Sequence, residues 1–205
     1  MKRSLFLATE FEAGPFLRGA QVLAAPPAKR AWRLRDGTTL VVCGMGPVTF
    51  AAGYAAWLSA APEHRLGEHL NCGIAGWLGD DFLLGRCIEV GKLRFDHGGD
   101  PSSPLLQAAW PELSCGDGAT LVSVSSPVWE EERRRTLAAA GGELVDMEGY
   151  AFAALALAHG IQPRLVKALS DPCRRRSRDE FLRDAQIALE HLAVELNVPR
   201  ASRSR

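Results

Sequence analysis

The sequence Val145-Asp146-Met147-Glu148-Gly149-Tyr150-Ala151 places acidic residues at the start of an apolar segment. The segment 151–159 is almost entirely Ala, Leu and Phe and is followed by a glycine, which predicts a buried helix. The segment 164–170 reads as a strand, and Asp171 follows it. Because ligands of open α/β sheets collect at the carboxyl ends of strands, we expect Glu148 and Asp171 to face one site.

Each of these carboxylates also has an ordinary structural use. Asp146 is suited to capping the helix, and Glu148 to interacting with the positive end of the helix dipole. Asp171 is suited to starting a turn with Pro172. Taken one residue at a time, the structural use is the commoner one, so the case for a site depends on the other motifs of the chain.

Composition indicates one domain with a small-molecule ligand. The chain has 205 residues, of which 47% are hydrophobic, enough for one sizeable core. Lys plus Arg and Asp plus Glu both number 24, so nucleic acid and membrane surfaces are not expected partners. The five cysteines are odd in number and lack C-x-x-C spacing, which favours reduced thiols and a cytoplasmic location. No run approaches the roughly 20 apolar residues of a membrane span.

The first predicted strand, 5–9, leads directly into the acidic sequence Glu10-Phe11-Glu12. Two carboxylates therefore lie at the carboxyl end of a strand, although solvated turn residues give the same pattern. Asp36-Gly37 lies between two apolar segments, 32–35 and 38–43, and predicts a hairpin.

Two glycine-containing segments follow. Gly44-Met45-Gly46 lies between a strand and an Ala-rich helix predicted over 48–61, an arrangement whose free N–H groups suit an anion or a sugar. The segment 70–79 predicts a second glycine turn, with small residues where the backbone passes close to a ligand or a neighbouring strand. Neither matches G-x-G-x-x-G or a P-loop, so a dinucleotide or a nucleoside triphosphate is not expected.

The remaining elements alternate between strands and helices. Further strands are predicted over 87–90, 92–95 and 121–124, and helices over 105–110, 128–140 and from about Asp179 onward. His97 is interpreted as a loop residue. No internal repeat or linker divides the chain, so we predict a domain over 1–198 and a basic, flexible tail over 199–205.

The order of these motifs resembles the purine nucleoside phosphorylase and methylthioadenosine nucleosidase superfamily, on the nucleosidase side, which includes futalosine hydrolase-like proteins. The resemblance runs from about Leu5 to Leu196 and rests on five segments: 8–12, 44–46, 73–76, 145–149 and 168–171. It implies a single α/β domain with a twisted, mostly mixed central β-sheet flanked by helices. It also implies hydrolysis of the N-glycosidic bond of a purine nucleoside or a 5'-modified purine nucleoside, a homodimer, and no cofactor or metal.

The resemblance also implies a role for each matching residue. Asp171 would be the general acid at purine N7 and Glu12 would hold the attacking water. The residues implied to bind substrate are Glu148 at the ribose hydroxyls, Met147 at the sugar, Ser170 beside the acid, and Ala75, Gly76, Pro127 and Val128 against base and sugar. These types suit the reaction, because cleavage develops positive charge on the sugar and negative charge on the leaving base.

Two alternatives remain at this point. A phosphorylase would bind phosphate with Gly44 to Gly46 and a nearby cation, but the acidic residues after the first strand would repel phosphate and suit a water. A degenerate relative would bind a nucleoside without turnover. Three departures from the family pattern keep that alternative open: Lys167 in place of an arginine, a short stretch between Phe95 and Leu121, and Pro127-Val128-Trp129 in place of the usual base clamp.

Overall fold

The computed structural model describes residues 2–17, 20–22, 30–98 and 111–196. Ten strands make up its sheet: β1 (Arg3–Leu7), β2 (Gln21–Val22), β3 (Ala31–Arg33), β4 (Thr39–Val42), β5 (Glu68–Trp77), β6 (Cys87–Asp96), β7 (Leu113–Ser114), β8 (Ala119–Val124), β9 (Leu144–Asp146) and β10 (Pro163–Asp171). The helices are α1 (Glu10–Ala13), α2 (Pro47–Ala60), α3 (Glu131–Ala139), α4 (Gly149–Ala158) and α5 (Arg178–Glu195).

The sheet is mixed, and part of it closes into a ring. β5 pairs in parallel with β1 and β10, and its last residues pair antiparallel with β9. β10 continues to β6, β6 to β8, and β8 back to β9, which completes the ring. β1, β4, β3 and β2 extend from β5 as an open sheet. β5 therefore belongs to both parts, and the ends of β1, β5, β9 and β10 lie close together.

Helices cover both faces of this sheet, as a chain with two apolar clusters requires. On one face α2 and α4 pack together, with Phe50, Tyr54 and Phe152 against Phe6 of β1. On the other face, Leu and Ala residues along one side of α5 pack against β5 and β10. These residues follow the i, i+3, i+4 spacing of an amphipathic helix. The prediction of a single α/β fold with a mixed sheet flanked by helices is confirmed.

Within the described residues most predicted elements are present, some with different ends. The hairpin is present, with β3 antiparallel to β4 around Asp36-Gly37. The segments 87–90 and 92–95 are one strand, β6, with an irregularity at Gly91. The segment 70–79 is not a glycine turn, because residues 68–77 form the long strand β5. Its small residues instead let other side chains approach the strand closely. A Cβ atom on Gly73 would lie 2.6 Å from a Glu12 carboxylate oxygen.

Two predictions lie outside the described residues. These are the helix over 105–110 and the tail over 199–205, so the domain boundary at 198 stays a prediction. Across the ranges that the structure describes, no helix has the length and apolarity needed to cross a membrane.

Candidate active site

A cavity of about 560 Å³ opens at the carboxyl ends of β1, β5, β9 and β10. Its lining is mostly apolar, with a few carboxylates among the apolar side chains, as is usual for sites that bind small molecules. The cavity brings together all the residues that the sequence predicts for the site: Glu12, Ala75, Gly76, Pro127, Val128, Met147, Glu148, Ser170 and Asp171.

Glu12 reaches the cavity from α1, which begins directly after β1. Thr9 and Glu12 form a capping box: the Thr9 hydroxyl accepts a hydrogen bond from the Glu12 amide, and the Glu12 carboxylate accepts one from the Thr9 amide. The carboxylate also accepts hydrogen bonds from the amides of Ala8 at 3.0 Å and Ile74 at 3.3 Å. Burial raises the pKa of Glu12, while Lys167 and these amides act to lower it. The carboxylate is thus fixed in place against Gly73.

Glu148 lies at the start of α4, and its side chain extends to the glycine turn before α2. Its Oε1 accepts a hydrogen bond of 2.7 Å from the amide of Gly46. Gly46 has φ +84°, a conformation that glycine adopts without strain, and the next residue, Pro47, has no amide hydrogen to offer. Burial, followed by the charge of Asp146, raises the pKa of Glu148 to about 7.

Asp171 ends β10, and both of its carboxylate oxygens are hydrogen bonded. Ser170 Oγ donates to Oδ2 at 2.9 Å, and the amide of Cys173 donates to Oδ1 at 2.9 Å. Gly76 makes room for this arrangement, since a Cβ atom there would lie 2.4 Å from Cys173 Sγ and 3.2 Å from Asp171 Oδ1. Burial raises the pKa of Asp171, and the two hydrogen bonds and Arg176 act to lower it.

A buried ion pair, Lys167 with Asp146, lies next to these carboxylates. Lys167 Nζ lies 2.8 Å from Asp146 Oδ2, and both side chains are almost fully buried. Asp146 also accepts hydrogen bonds from Ser123 Oγ at 2.6 Å and from the Gly149 amide at 2.9 Å. Asp146 is not the N-cap residue as predicted, because that position is Glu148, but its carboxylate accepts a hydrogen bond from the first amide of α4. Burial acts to lower the pKa of Lys167, and Asp146 and Glu148 raise it above its ordinary value.

The sequence identified Lys167 only as a departure from the family pattern. Its ammonium group contacts Asp146, and no ion pair joins it to Asp171 in the described part of the chain. The register of β10 against β5 sets the position of Lys167. Lys167 pairs with Gly73 of β5, and the Glu12 carboxylate lies beside Gly73. The one signal in the sequence was a lysine within an apolar strand, since a buried lysine requires a carboxylate partner.

Side chains from α5 and from the segment before it, together with Trp129, also line the cavity. Trp129 and Phe181 meet edge to face with ring centroids 6.0 Å apart, joining the segment before α3 to α5. Leu182 and Arg176 line the same side, and Arg176 forms an ion pair of 2.5 Å with Asp184. Phe181 and Leu182 belong to the helix predicted from about Asp179 onward, and the sequence did not predict them at the site. The spacing of apolar residues predicts which face of a helix is apolar, but it does not predict which part of the protein that face contacts.

The described residues contain no group of three His, Cys, Asp or Glu side chains placed to hold a metal ion. Three carboxylates that line the cavity accept hydrogen bonds from backbone amides: Glu12 after β1, Glu148 from the glycine turn, and Asp171 at the end of β10. Raised carboxyl pKa values in a cavity favour proton transfer near neutral pH.

Comparison with known proteins gives a family match and a set of solved structures with a similar fold. Residues 115–196 match the phosphorylase superfamily. The matched region runs from β8 to the end of α5 and includes Glu148, Ser170 and Asp171. The family resemblance seen in the sequence is thus confirmed over residues 115–196. A search of curated protein sequences finds no match.

Solved structures of nucleosidases have the same fold over nearly their whole length. Futalosine hydrolase from Helicobacter pylori is similar with a TM-score of 0.75 and 18% identity, covering 97% of this chain and 96% of that one. The methylthioadenosine/S-adenosylhomocysteine nucleosidase from S. pneumoniae gives a TM-score of 0.73 and 20% identity over 97% of both chains. Another MTA/SAH nucleosidase gives 0.79 and 17% identity over 96% of this chain and 93% of that one.

Proposed function

We propose that the protein is an N-ribosyl hydrolase that cleaves the N-glycosidic bond of a purine nucleoside or a 5'-modified purine nucleoside. One observation carries the proposal: Glu12, Glu148 and Asp171, from three separate parts of the chain, line one cavity. Solved structures of this fold include futalosine hydrolase and MTA/SAH nucleosidase, whose reactions belong to this class.

In the proposed reaction the bond between the ribose and the base breaks, and water supplies the new hydroxyl group. Asp171 gives its proton to N7 of the departing base, and Ser170 holds its carboxyl group. Glu12 orients the attacking water and accepts its proton. General acid catalysis of this kind contributes about 10² to 10⁴-fold. A raised Asp171 pKa supports this role, because the acid must hold a proton before the reaction.

The other residues bind the substrate in this proposal. Glu148 Oε1 is bonded to Gly46, which leaves Oε2 for the ribose hydroxyls. Met147 packs against the sugar. The base and sugar lie against Ala75, Gly76, Pro127 and Val128. Trp129, the residue after Val128, also lines the cavity and provides an aromatic surface. The substituent at the 5' position would extend toward the apolar part of the cavity.

Water is favoured over phosphate by the glycine turn itself. The Gly46 amide, the first donor that an anion would use at the start of α2, already donates to Glu148. Lys167 is bonded to Asp146 and buried, and Arg176 is paired with Asp184. A phosphate dianion near the sugar would lie between Glu12 and Glu148, both carboxylates, and would be repelled.

We further infer a homodimer and a cytoplasmic location. The 14 residues of α2 include no charged side chain, and its solvent side carries Val48, Ala52 and Ala56. Met45, beside the cavity, is 64% exposed. An uncharged surface of this kind next to a site suits a second copy of the chain. All five cysteines are unpaired, which favours a reducing compartment. Loss of self-association in Ala52→Glu, measured by analytical ultracentrifugation, is the expected result.

The test is release of free base from methylthioadenosine, adenosylhomocysteine, futalosine, adenosine and inosine, each with and without phosphate. We expect release without phosphate, reduced about 10² to 10⁴-fold in Asp171→Asn. Asp36→Asn makes the same change in a distant hairpin turn and should retain activity. Release that requires phosphate would make the protein a phosphorylase. Binding of these nucleosides without release by the folded protein would identify a degenerate relative.

A further inference from the structure

The end of β10 departs from regular strand geometry at the acid. Leu169 pairs with Ala75 and Asp171 pairs with Gly76, so Ser170 is an extra residue with no partner of its own on β5. In a regular strand, neighbouring side chains point to opposite faces. The bulge suspends this alternation, which lets Ser170 Oγ reach the carboxylate of the next residue at 2.9 Å.

The Ser170 hydroxyl has one proton and two acceptors within reach. Asp171 Oδ2 lies 2.9 Å from Oγ, and the carbonyl oxygen of Ala75 lies 3.4 Å from Oγ. The side chain is 1% exposed, so water does not provide a third partner. A hydroxyl group donates one hydrogen bond at a time, and its proton turns toward the better acceptor. An ionised carboxylate is the better acceptor, and a protonated carboxyl group loses most of that advantage.

We propose that the Ser170 hydroxyl is a two-position switch that follows the proton of Asp171, donating to Ala75 O when the acid is protonated and to Asp171 Oδ2 when the acid is ionised. This inference rests on the proposed function for its catalytic meaning. The bonds themselves are a property of the folded chain with or without substrate.

The switch would assist the chemical step without moving heavy atoms. As the Asp171 O–H bond breaks and the N7–H bond forms, negative charge remains on the carboxylate. The hydroxyl then turns onto Oδ2, while the Cys173 amide stays on Oδ1. The new charge is therefore met by two donors whose heavy atoms are already in place, so that only the hydroxyl proton has to turn. Ser170 acts through Asp171 and is a positioning residue.

Few other groups act on Asp171. Arg176, in the turn after β10, favours its ionised form, and the Cys173 thiol lies beside it. Arg134 of α3 acts on that thiol. Because these groups are the same whichever way the hydroxyl points, a response that follows Ser170 can be separated from theirs by substitution.

The first experiment compares the pH dependence of kcat/KM for Ser170→Ala with that of the unmodified protein, using whichever nucleoside is cleaved. Loss of the donor should lower kcat about 10-fold and move the alkaline limb up by about one pH unit, because the ionised acid loses a hydrogen bond. Ser170→Thr keeps the hydroxyl and should restore the limb. Ser170→Cys, a weaker donor of similar size, should lie between them if Thr does not fit. An alkaline limb unchanged in Ser170→Ala would refute the proposal.

The second experiment needs no turnover. With ¹³C in the carbonyl of alanine residues, the NMR signal of Ala75 should shift with pH along the titration of Asp171, because the carbonyl gains a hydrogen bond when the acid is protonated. The shift should vanish in Ser170→Ala and in Asp171→Asn. An Ala75 signal that ignores the titration of Asp171 would overturn the switch even in an active hydrolase. A signal that follows it in an inactive protein would retain the switch and reject the hydrolase.

Discussion

At the scale of single residues, the site depends on where a side chain is absent as much as on where one is present. Gly73 and Gly76 lie on β5 beside Glu12 and Asp171, and each leaves space that a Cβ atom would fill. A residue with a side chain at either position would move the carboxylate that the proposed chemistry uses.

Substituting Gly73→Ala is expected to reduce kcat at least 10-fold and also to lower stability, because Gly73 has φ +158°, a conformation in which a residue with a side chain is strained. The added methyl group would also lie 2.6 Å from Glu12 Oε1 and would push the carboxylate away from the amides that hold it. Activity and thermal unfolding are measured together. The control is Gly14→Ala, where an added Cβ atom meets nothing within 4 Å. Full activity in Gly73→Ala would argue that the Glu12 position is not needed.

Glu148 is expected to produce an acid limb near pH 7 in kcat/KM. Its pKa is raised to about 7, and only the ionised form accepts hydrogen bonds at both carboxylate oxygens. Activity should therefore rise with pH through this value, in the opposite sense to the requirement for a protonated Asp171. Glu148→Gln should remove the limb and lower kcat/KM above pH 7, where Glu148 of the unmodified protein is ionised. A limb that persists in Glu148→Gln would assign it to another group.

The residue scale also shows what the sequence predicts well. Glu12, Glu148 and Asp171 could be placed at one site because each follows or precedes an apolar element, and strand ends meet at one edge. The Lys167–Asp146 pair could not be found this way, since it depends on the register of β10 against β5. The bulge at Ser170 is equally a matter of register, which no single strand sequence specifies.

At the scale of elements, two capping boxes differ in what they support. Thr9 and Glu12 begin α1 and also position a proposed catalytic carboxylate, whereas Ser177 and Glu180 begin α5. The sequence prediction of α5 from about Asp179 agrees with this boundary. The segment 70–79 was harder, because its glycines are typical of a turn, and only the Glu12 and Asp171 side chains explain them as part of a strand.

Substituting Ser177→Ala is expected to lower the free energy of unfolding by about 1 kcal/mol. The Ser177 hydroxyl accepts a hydrogen bond from the Glu180 amide at 3.2 Å, and alanine leaves that amide without its partner. Ser177→Asp retains a capping oxygen and should recover most of the loss. Urea unfolding measures both variants. Equal stability of Ser177→Ala and the unmodified protein would mean that solvent replaces the cap.

At the scale of the whole molecule, a second polar network lies within the α2 side of the sheet. The Tyr54 hydroxyl lies 2.7 Å from His69 Nδ1, and His69 Nε2 lies 2.9 Å from the carbonyl oxygen of His64. A neutral ring with hydrogen on Nε2 satisfies both contacts, because it accepts from the tyrosine and donates to the carbonyl. Burial lowers the pKa of His69, which keeps the ring neutral.

This network is expected to weaken the fold in acid. Unfolded His69 takes a proton near pH 6.5 and folded His69 does so at lower pH, so its contribution is present above 6.5 and is lost as pH falls toward the folded pKa. The slope of unfolding free energy against pH between 5 and 6.5 should decrease in His69→Gln by up to about 1.4 kcal/mol per pH unit. Urea unfolding at several pH values measures it. Identical slopes in His69→Gln and the unmodified protein would mean that a group other than His69 takes up the proton.

The closed ring of strands has a consequence for the growing polypeptide. Its last member is β10, which inserts between β5 and β6, strands made much earlier. Until residue 171 leaves the ribosome, the ring is open at the position of the acid, and the earlier strands expose unpaired edges. A nascent chain that ends after α4 already carries Glu12 and Glu148 yet has no Asp171 to join them. Synthesis must therefore pass through an interval in which the sheet can pair wrongly, and the three carboxylates of the cavity come together only after β10 has been made.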